Sequence, residues 1–266
     1  MKQWTLLFAA ATLLPAIALA DAPPAAPTPP AAPTPPAAPT PPTPPTPPTP
    51  GSGDASAGYV QTTGNNNSTS LNAKANLDWK SAPWENQFHT LGTYGSSKGE
   101  STSESYQFND KLNYDLSPAD YVFGSLDYGD DRFAGVVSRY SESLGYGRHV
   151  LKSPLQTLDI DAGVGASQTR ESGDTSYDGQ FIGVFNLAYL LKFAPNTQFK
   201  QTLHVEAGPD NTFINPVAEL KLTIIANFFA TLDYDWRHNT SVPAGSVHTD
   251  TITSVNFGYS FGKKPG

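Results

Sequence analysis

Cysteine is absent from the 266 residues. That removes disulfides, thiolate catalysis and thiolate metal ligation, and it closes the lipoprotein route, which needs a cysteine to acylate. Long apolar runs are missing after residue 20, so no later segment supplies the ~20 apolar residues of a transmembrane helix. Basic blocks are missing too: 16 Lys and Arg stand against 24 Asp and Glu, a formal charge of −8, which argues against nucleic acid as a partner. Mean hydropathy is negative. A membrane β-barrel remains compatible with that value, because its strands put only alternate residues into lipid.

Proline, by contrast, is abundant and concentrated. Residues 1–20 read as an export signal, with Lys2 as the positive end, an apolar core from Leu6 to Ile17, and Ala18-Leu19-Ala20 as the cleavage site before Asp21. Residues 21–54 follow as a Pro/Ala/Thr-rich periplasmic linker. Proline has no amide donor and a fixed φ, so this arm joins neither sheet nor helix; at about 3.1 Å per residue its Pro/Ala/Thr stretch, residues 21–50, is a polyproline-like spacer of roughly 90 Å. Contact with a periplasmic component through this arm is one partner the sequence suggests.

Residues 55–263 form the expected folded domain. Twelve strand-length pieces are separated by turn chemistry: 55–64, 69–80, 86–96, 103–116, 119–129, 136–151, 155–169, 179–194, 197–207, 213–225, 229–238 and 250–262. Most are about 10 residues or longer, the length that crosses a bilayer at a tilt. Alternation is clearest where Leu71, Ala73, Ala75, Leu77 and Trp79 interleave with Asn72, Lys74, Asn76, Asp78 and Lys80, and where Val255, Phe257, Tyr259 and Phe261 interleave with Ser254, Asn256, Gly258 and Ser260. Strand side chains alternate faces, so each piece has one apolar and one polar face. A water-soluble sheet alternates as well; the connections favour the barrel. Ser81-Ala82-Pro83, Ser117-Pro118, Ser153-Pro154, Ala194-Pro195 and Ala226-Asn227 are short, as periplasmic turns are. Gly95–Thr102, Glu171–Gly179 and Asn239–Thr249 read as longer external loops. Aromatics such as Trp79, Trp84, Tyr114, Tyr128, Tyr146, Tyr189, Phe193, Trp236 and Phe261 fall towards strand ends, where barrels carry their interfacial girdles. The expected fold class is all-β, a single antiparallel transmembrane barrel of about 12 strands in the cell outer membrane. Its expected partners are outer-membrane lipid and, during biogenesis, the barrel-assembly machinery. Three places fit poorly: the weakly apolar first strand, Asp110 on the face of Phe108 and Leu112, and Glu142 on the face of Tyr140 and Leu144. A bulge, a register shift or a rim position would remove the last two conflicts.

The pieces Tyr121-Val122-Phe123, Asp131-Arg132-Phe133 with Gly135, Arg139, Leu144-Gly145-Tyr146-Gly147, Gly163 and Gly165 recur in order. Pro243-x-Gly245 before Thr249-Asp250-Thr251, the closing Tyr259-Ser260-Phe261 and Gly64-Asn65 complete the set. In this set the chain resembles the salt-induced outer membrane protein family, a β-barrel family of unknown function. The resemblance covers most of residues 55–262 and none of the linker. It implies an outer-membrane barrel and no catalytic residues. Gly262 to Gly266 follow Phe261, whereas many barrels end on the terminal aromatic.

Candidate chemistry is sparse. His89, His149, His204, His238 and His248 are scattered without metal-ligand spacing, although His238 and His248 flank one loop. The carboxylate pairs Asp159/Asp161, Asp233/Asp235 and Asp130/Asp131 read as a charged lumen before they read as acid–base machinery. A three-residue turn after the tenth strand would set Lys221 opposite Asp233. Gly-rich pieces lack a following helix and phosphate-binding spacing, and read as places where a barrel strand relieves crowding. The sequence therefore assigns no catalytic, cofactor-binding or metal residues and no cofactor, and it leaves ligand-binding residues open. The functional expectation is a non-enzymatic outer-membrane barrel, a narrow channel or an envelope component in salt and osmotic response. The alternatives are a surface binding module, a soluble periplasmic β-protein and an outer-membrane hydrolase.

Overall fold

A computed structural model describes residues 51–64, 68–97, 100–132, 136–242 and 244–262. The export signal, nearly all of the linker, Asn65, Phe133, Gly135, Pro243 and the tail after Gly262 lie outside the described residues. Twelve strands run in order: β1 Ser52–Thr63, β2 Ser68–Ser81, β3 Trp84–Ser97, β4 Glu100–Asp115, β5 Asp120–Asp131, β6 Val136–Lys152, β7 Gln156–Glu171, β8 Asp178–Ala194, β9 Thr197–Ala207, β10 Thr212–Ile225, β11 Phe228–Asn239 and β12 Thr249–Phe261. Each is antiparallel to its neighbours in sequence, and β1 pairs with β12, which closes the barrel. Closure leaves no strand edge unpaired, the condition for a sheet in hydrocarbon.

Solvent exposure decides which face is which. Leu71 is 70% exposed and Phe257 63%, whereas Asn256 is fully buried and Glu206 2% exposed. Apolar side chains point out and polar ones point in, the reverse of a water-soluble sheet. The chain is an outer-membrane β-barrel, and the soluble periplasmic alternative falls. Exposed aromatics form two belts. Trp79, Trp84, Tyr114, Phe228, Tyr259 and Phe261 lie at the end with the short turns, and Tyr59, Tyr94, Tyr128, Tyr140 and Tyr234 lie towards the other. Trp84 meets Tyr114 edge-on at 4.8 Å and Phe228 meets Tyr259 at 5.1 Å, so each pair bridges neighbouring strands.

Several expectations are corrected. β1 begins at Ser52, so Asp54 belongs to the barrel and not to the linker. The external loop expected over Gly95–Thr102 is mostly strand: β3 and β4 continue to Ser97 and from Glu100, paired through Gly95↔Ser103 and Ser97↔Glu100. The turn after β10 spans only Ala226 and Asn227, with Ala226 at φ 48° and a register shift between Thr223 and Ile225. Lys221 therefore faces Thr231, and Asp233 faces Glu219. No bulge or rim position rescues Asp110 and Glu142. The register is regular through Asp110↔Leu126 and Leu126↔Glu142, mid-strand, and both side chains share the outer face with Leu126.

Candidate functional site

The lumen is where the polar faces of all twelve strands converge, and buried side chains stand in it. The buried large side chains Val60, Tyr121, Phe123, Ile182, Val184, Phe229 and Ile252 all lie on the inward faces of their strands. The sequence patterns gave no hint of this apolar filling. Val60 sits in a strand whose other inward positions are polar or glycine, Ser52, Asp54, Ser56, Gly58 and Thr62, and a sequence does not say what stands across a barrel.

Two polar networks lie among these side chains. In the first, the Lys74 ammonium on β2 donates to Glu219 on β10 at 3.0 Å and to Asp233 on β11 at 2.9 Å. Asp233 also accepts from Asn256 at 2.6 Å and from the Thr231 and Ser254 hydroxyls at 3.1 and 3.2 Å. Lys221 on β10, freed from the expected pairing with Asp233, reaches Asp54 on β1 at 2.9 Å and lies over the Phe229 ring at 3.7 Å. The other oxygen of Asp54 accepts from Asn76 at 2.7 Å, and Asn76 meets His89 at 2.8 Å.

The second network is one continuous path. Lys111 on β4 pairs with Asp161 on β7. Asp161 accepts from the Tyr121 hydroxyl at 2.9 Å and from Asn186 at 2.7 Å. Asn186 meets His204 Nδ1 at 2.6 Å, and His204 Nε2 meets Glu206 at 2.8 Å. Glu206 on β9 pairs with Arg139 on β6 and accepts from Ser141 at 2.8 Å. Lys111 and Arg139 lie over the rings of Phe123 and Phe213 at 4.6 and 4.2 Å.

The lysine and arginine ion pairs of the two networks do not follow the wall. β4 and β7, β6 and β9, and β10 and β1 are each separated by two intervening strands, and β2 and β10 by three. The ion pairs are therefore chords across the lumen. A buried charge without its partner is far costlier than a broken surface pair, so each chord holds the two walls it joins at fixed separation.

The sequence-predicted groups take their places around this plug. Asp159 bonds His149 at 2.6 Å, while Asp161, two residues on, belongs to the second network. Asp235 pairs with Arg237, and Asp130 meets the Tyr128 hydroxyl at 3.5 Å. Asp159/Asp161 and Asp233/Asp235 are thus each divided among separate partners. His238 stacks on Trp236 with ring centroids 5.2 Å apart and stands 6.0 Å from His248, so the two loop-flanking histidines do meet at the rim. Among the described residues no group of three or more His, Asp or Glu side chains could hold a metal ion. Some glycines serve packing. A Cβ on Gly147 would sit 2.2 Å from the Tyr121 ring, so this glycine makes room for the aromatic that caps Asp161.

Comparison with known proteins matches this architecture. Residues 55–261 fit the family described as a protein of unknown function, DUF481. An uncharacterized protein of Escherichia coli strain K12, YdiY, is 29% identical over 214 residues, 78% of this chain and 82% of that protein. Among solved structures, the NanC porin superposes with a TM-score of 0.52 at 7% identity, over 77% of this chain and 98% of its own. An outer-membrane channel from Pseudomonas putida F1 gives 0.49 at 11% identity, over 84% and 99%. At such identity the likeness to the NanC porin shows the barrel fold alone.

Proposed function

This chain belongs to the DUF481 family, and from that premise we propose that its barrel is closed at rest, a non-enzymatic envelope component whose lumen is barred by ion pairs. The observation that carries the proposal is the set of chords from Lys74 to Glu219 and Asp233, from Lys221 to Asp54, from Lys111 to Asp161 and from Arg139 to Glu206. An open porin needs a hydrated path, and these charges are spent on one another instead of facing water. The salt-responsive part of the reading rests on the family resemblance, and impaired growth of a deletion strain in high salt would support it.

Planar-bilayer recording of the purified barrel tests closure. The wild-type protein is expected to stay silent across salts and voltages, and the Lys74→Ala, Lys111→Ala double variant to pass current once both networks lose a crossbar. Stable open-channel steps from the wild-type protein would overturn the proposal. Retention of the heat-dependent gel shift shows that the variant is still a barrel.

A further inference from the structure

The outer face of β4 to β6 departs from the rest of the lipid-facing band. Asp110, Leu126 and Glu142 are direct neighbours across these three strands, with unbroken register. Two carboxyls thus point at lipid mid-strand, one on either side of Leu126, where ionisable groups are costly and mark function. Asn86, on the outer face of β3, donates to Asp110 at 2.7 Å. An amide nitrogen carries two hydrogens, so one remains. Glu142 has no hydrogen-bond or ion-pair partner among the described residues.

The same face is hollow. A recess of about 1060 Å³ is lined by Asp110, Gly124, Leu126, Glu142, Leu144 and their neighbours. Gly124, two residues from Leu126 on the same face, is not needed by the barrel's own packing. A Cβ there would meet nothing closer than 3.9 Å, whereas one on Gly147 would collide. A small residue on a lipid face that internal packing does not require allows a second backbone to approach closely.

We propose that this face is the contact between two copies of the chain in the membrane, related by a two-fold axis parallel to the barrel axis and passing beside β5 at Gly124 and Leu126. Both copies insert in one orientation, so the two-fold runs along the membrane normal, and the contact is isologous. An axis at β5 sets β6 of each copy against β4 of the other. The Glu142 side of one copy then meets the Asn86–Asp110 side of the second. The spare amide hydrogen of Asn86 becomes the donor Glu142 lacks, and does so twice by symmetry. A lipid acyl chain could fill the recess but has no hydrogen to donate. Polar contacts of this kind join membrane segments that have no hydrophobic drive to associate.

The cysteine-free chain gives a clean test. Leu126→Cys, beside the axis, is oxidised in native outer membranes, with Leu232→Cys on β11, on the far side of the ring, as the control. The expected result is a reductant-sensitive band at twice the monomer mass for Leu126→Cys alone, lost when Gly124→Leu fills the recess and weakened by Asn86→Ala. The heat-dependent gel shift confirms that each variant remains folded. No dimer band from Leu126→Cys, an equal band from Leu232→Cys, or an adduct with a different protein would each overturn the proposal.

Discussion

Gly147 and Tyr121 illustrate how single residues set the lumen. Tyr121 is 2% exposed and its hydroxyl is tied to Asp161, so the ring cannot yield to a new methyl group. Gly147→Ala is therefore expected to destabilise the barrel by about 1–3 kcal/mol, the usual range for overpacking, read as a lower urea midpoint in lipid vesicles. Glu206→Ala is expected to cost more, roughly 3–5 kcal/mol, because it strands the Arg139 guanidinium in the lumen and unties His204 and Ser141. A double variant that also replaces Arg139 should recover part of that loss, and the same unfolding measurement reads both. At this scale the sequence was half legible. That Asp159, Asp161, Asp233 and Asp235 line a lumen follows from alternation, but their partners do not. Lys221 bonds Asp54, and Lys74 bonds Glu219, across strands far apart in the chain. Only the closed ring sets those distances.

Strands were the most legible level, because a period of two survives in the residues themselves. All twelve fall where alternation puts them, with ends that move by a few residues. The larger misreading, the β3–β4 connection, has a physical cause. Beyond the membrane the hairpin is held by cross-strand backbone bonds and needs no apolar face, so Gly95, Ser96 and Ser97 look like loop and pair as strand. The β10–β11 turn was misjudged in register. It uses two residues with Ala226 in the left-handed region, where a side chain costs about 1–2 kcal/mol and glycine costs little beyond its chain entropy of about 0.5–1 kcal/mol. Ala226→Gly is accordingly expected to raise stability by up to about 1 kcal/mol, seen as a higher urea midpoint. An unchanged or lower midpoint would mean that the Ala226 methyl is stabilised by its surroundings.

For the whole molecule, the closed ring and the apolar outer band predict behaviour in the cell. The protein is expected in the outer-membrane fraction, resistant to carbonate extraction, with faster gel migration before boiling than after. Recovery from the soluble fraction without a mobility shift would contradict the lipid-facing band. The fold class was legible in full because length of strand, alternation and turn asymmetry all point the same way. What the sequence withheld was occupancy of the interior and the meaning of Asp110 and Glu142. Both depend on which strands become neighbours in space.

The seam between β1 and β12 carries a consequence in time. Every other strand pair joins consecutive segments and can zip from its own turn, whereas Gly53↔Phe261 through Thr63↔Thr251 unite opposite ends of the folded chain. Loop closure of that length is slow compared with hairpin formation. Until it happens, the nascent ribbon carries two raw edges, each able to pair with another chain. The last strand made is thus the one that ends the period of aggregation risk, and substitutions along β12 should lengthen that period more than equal substitutions in any internal hairpin.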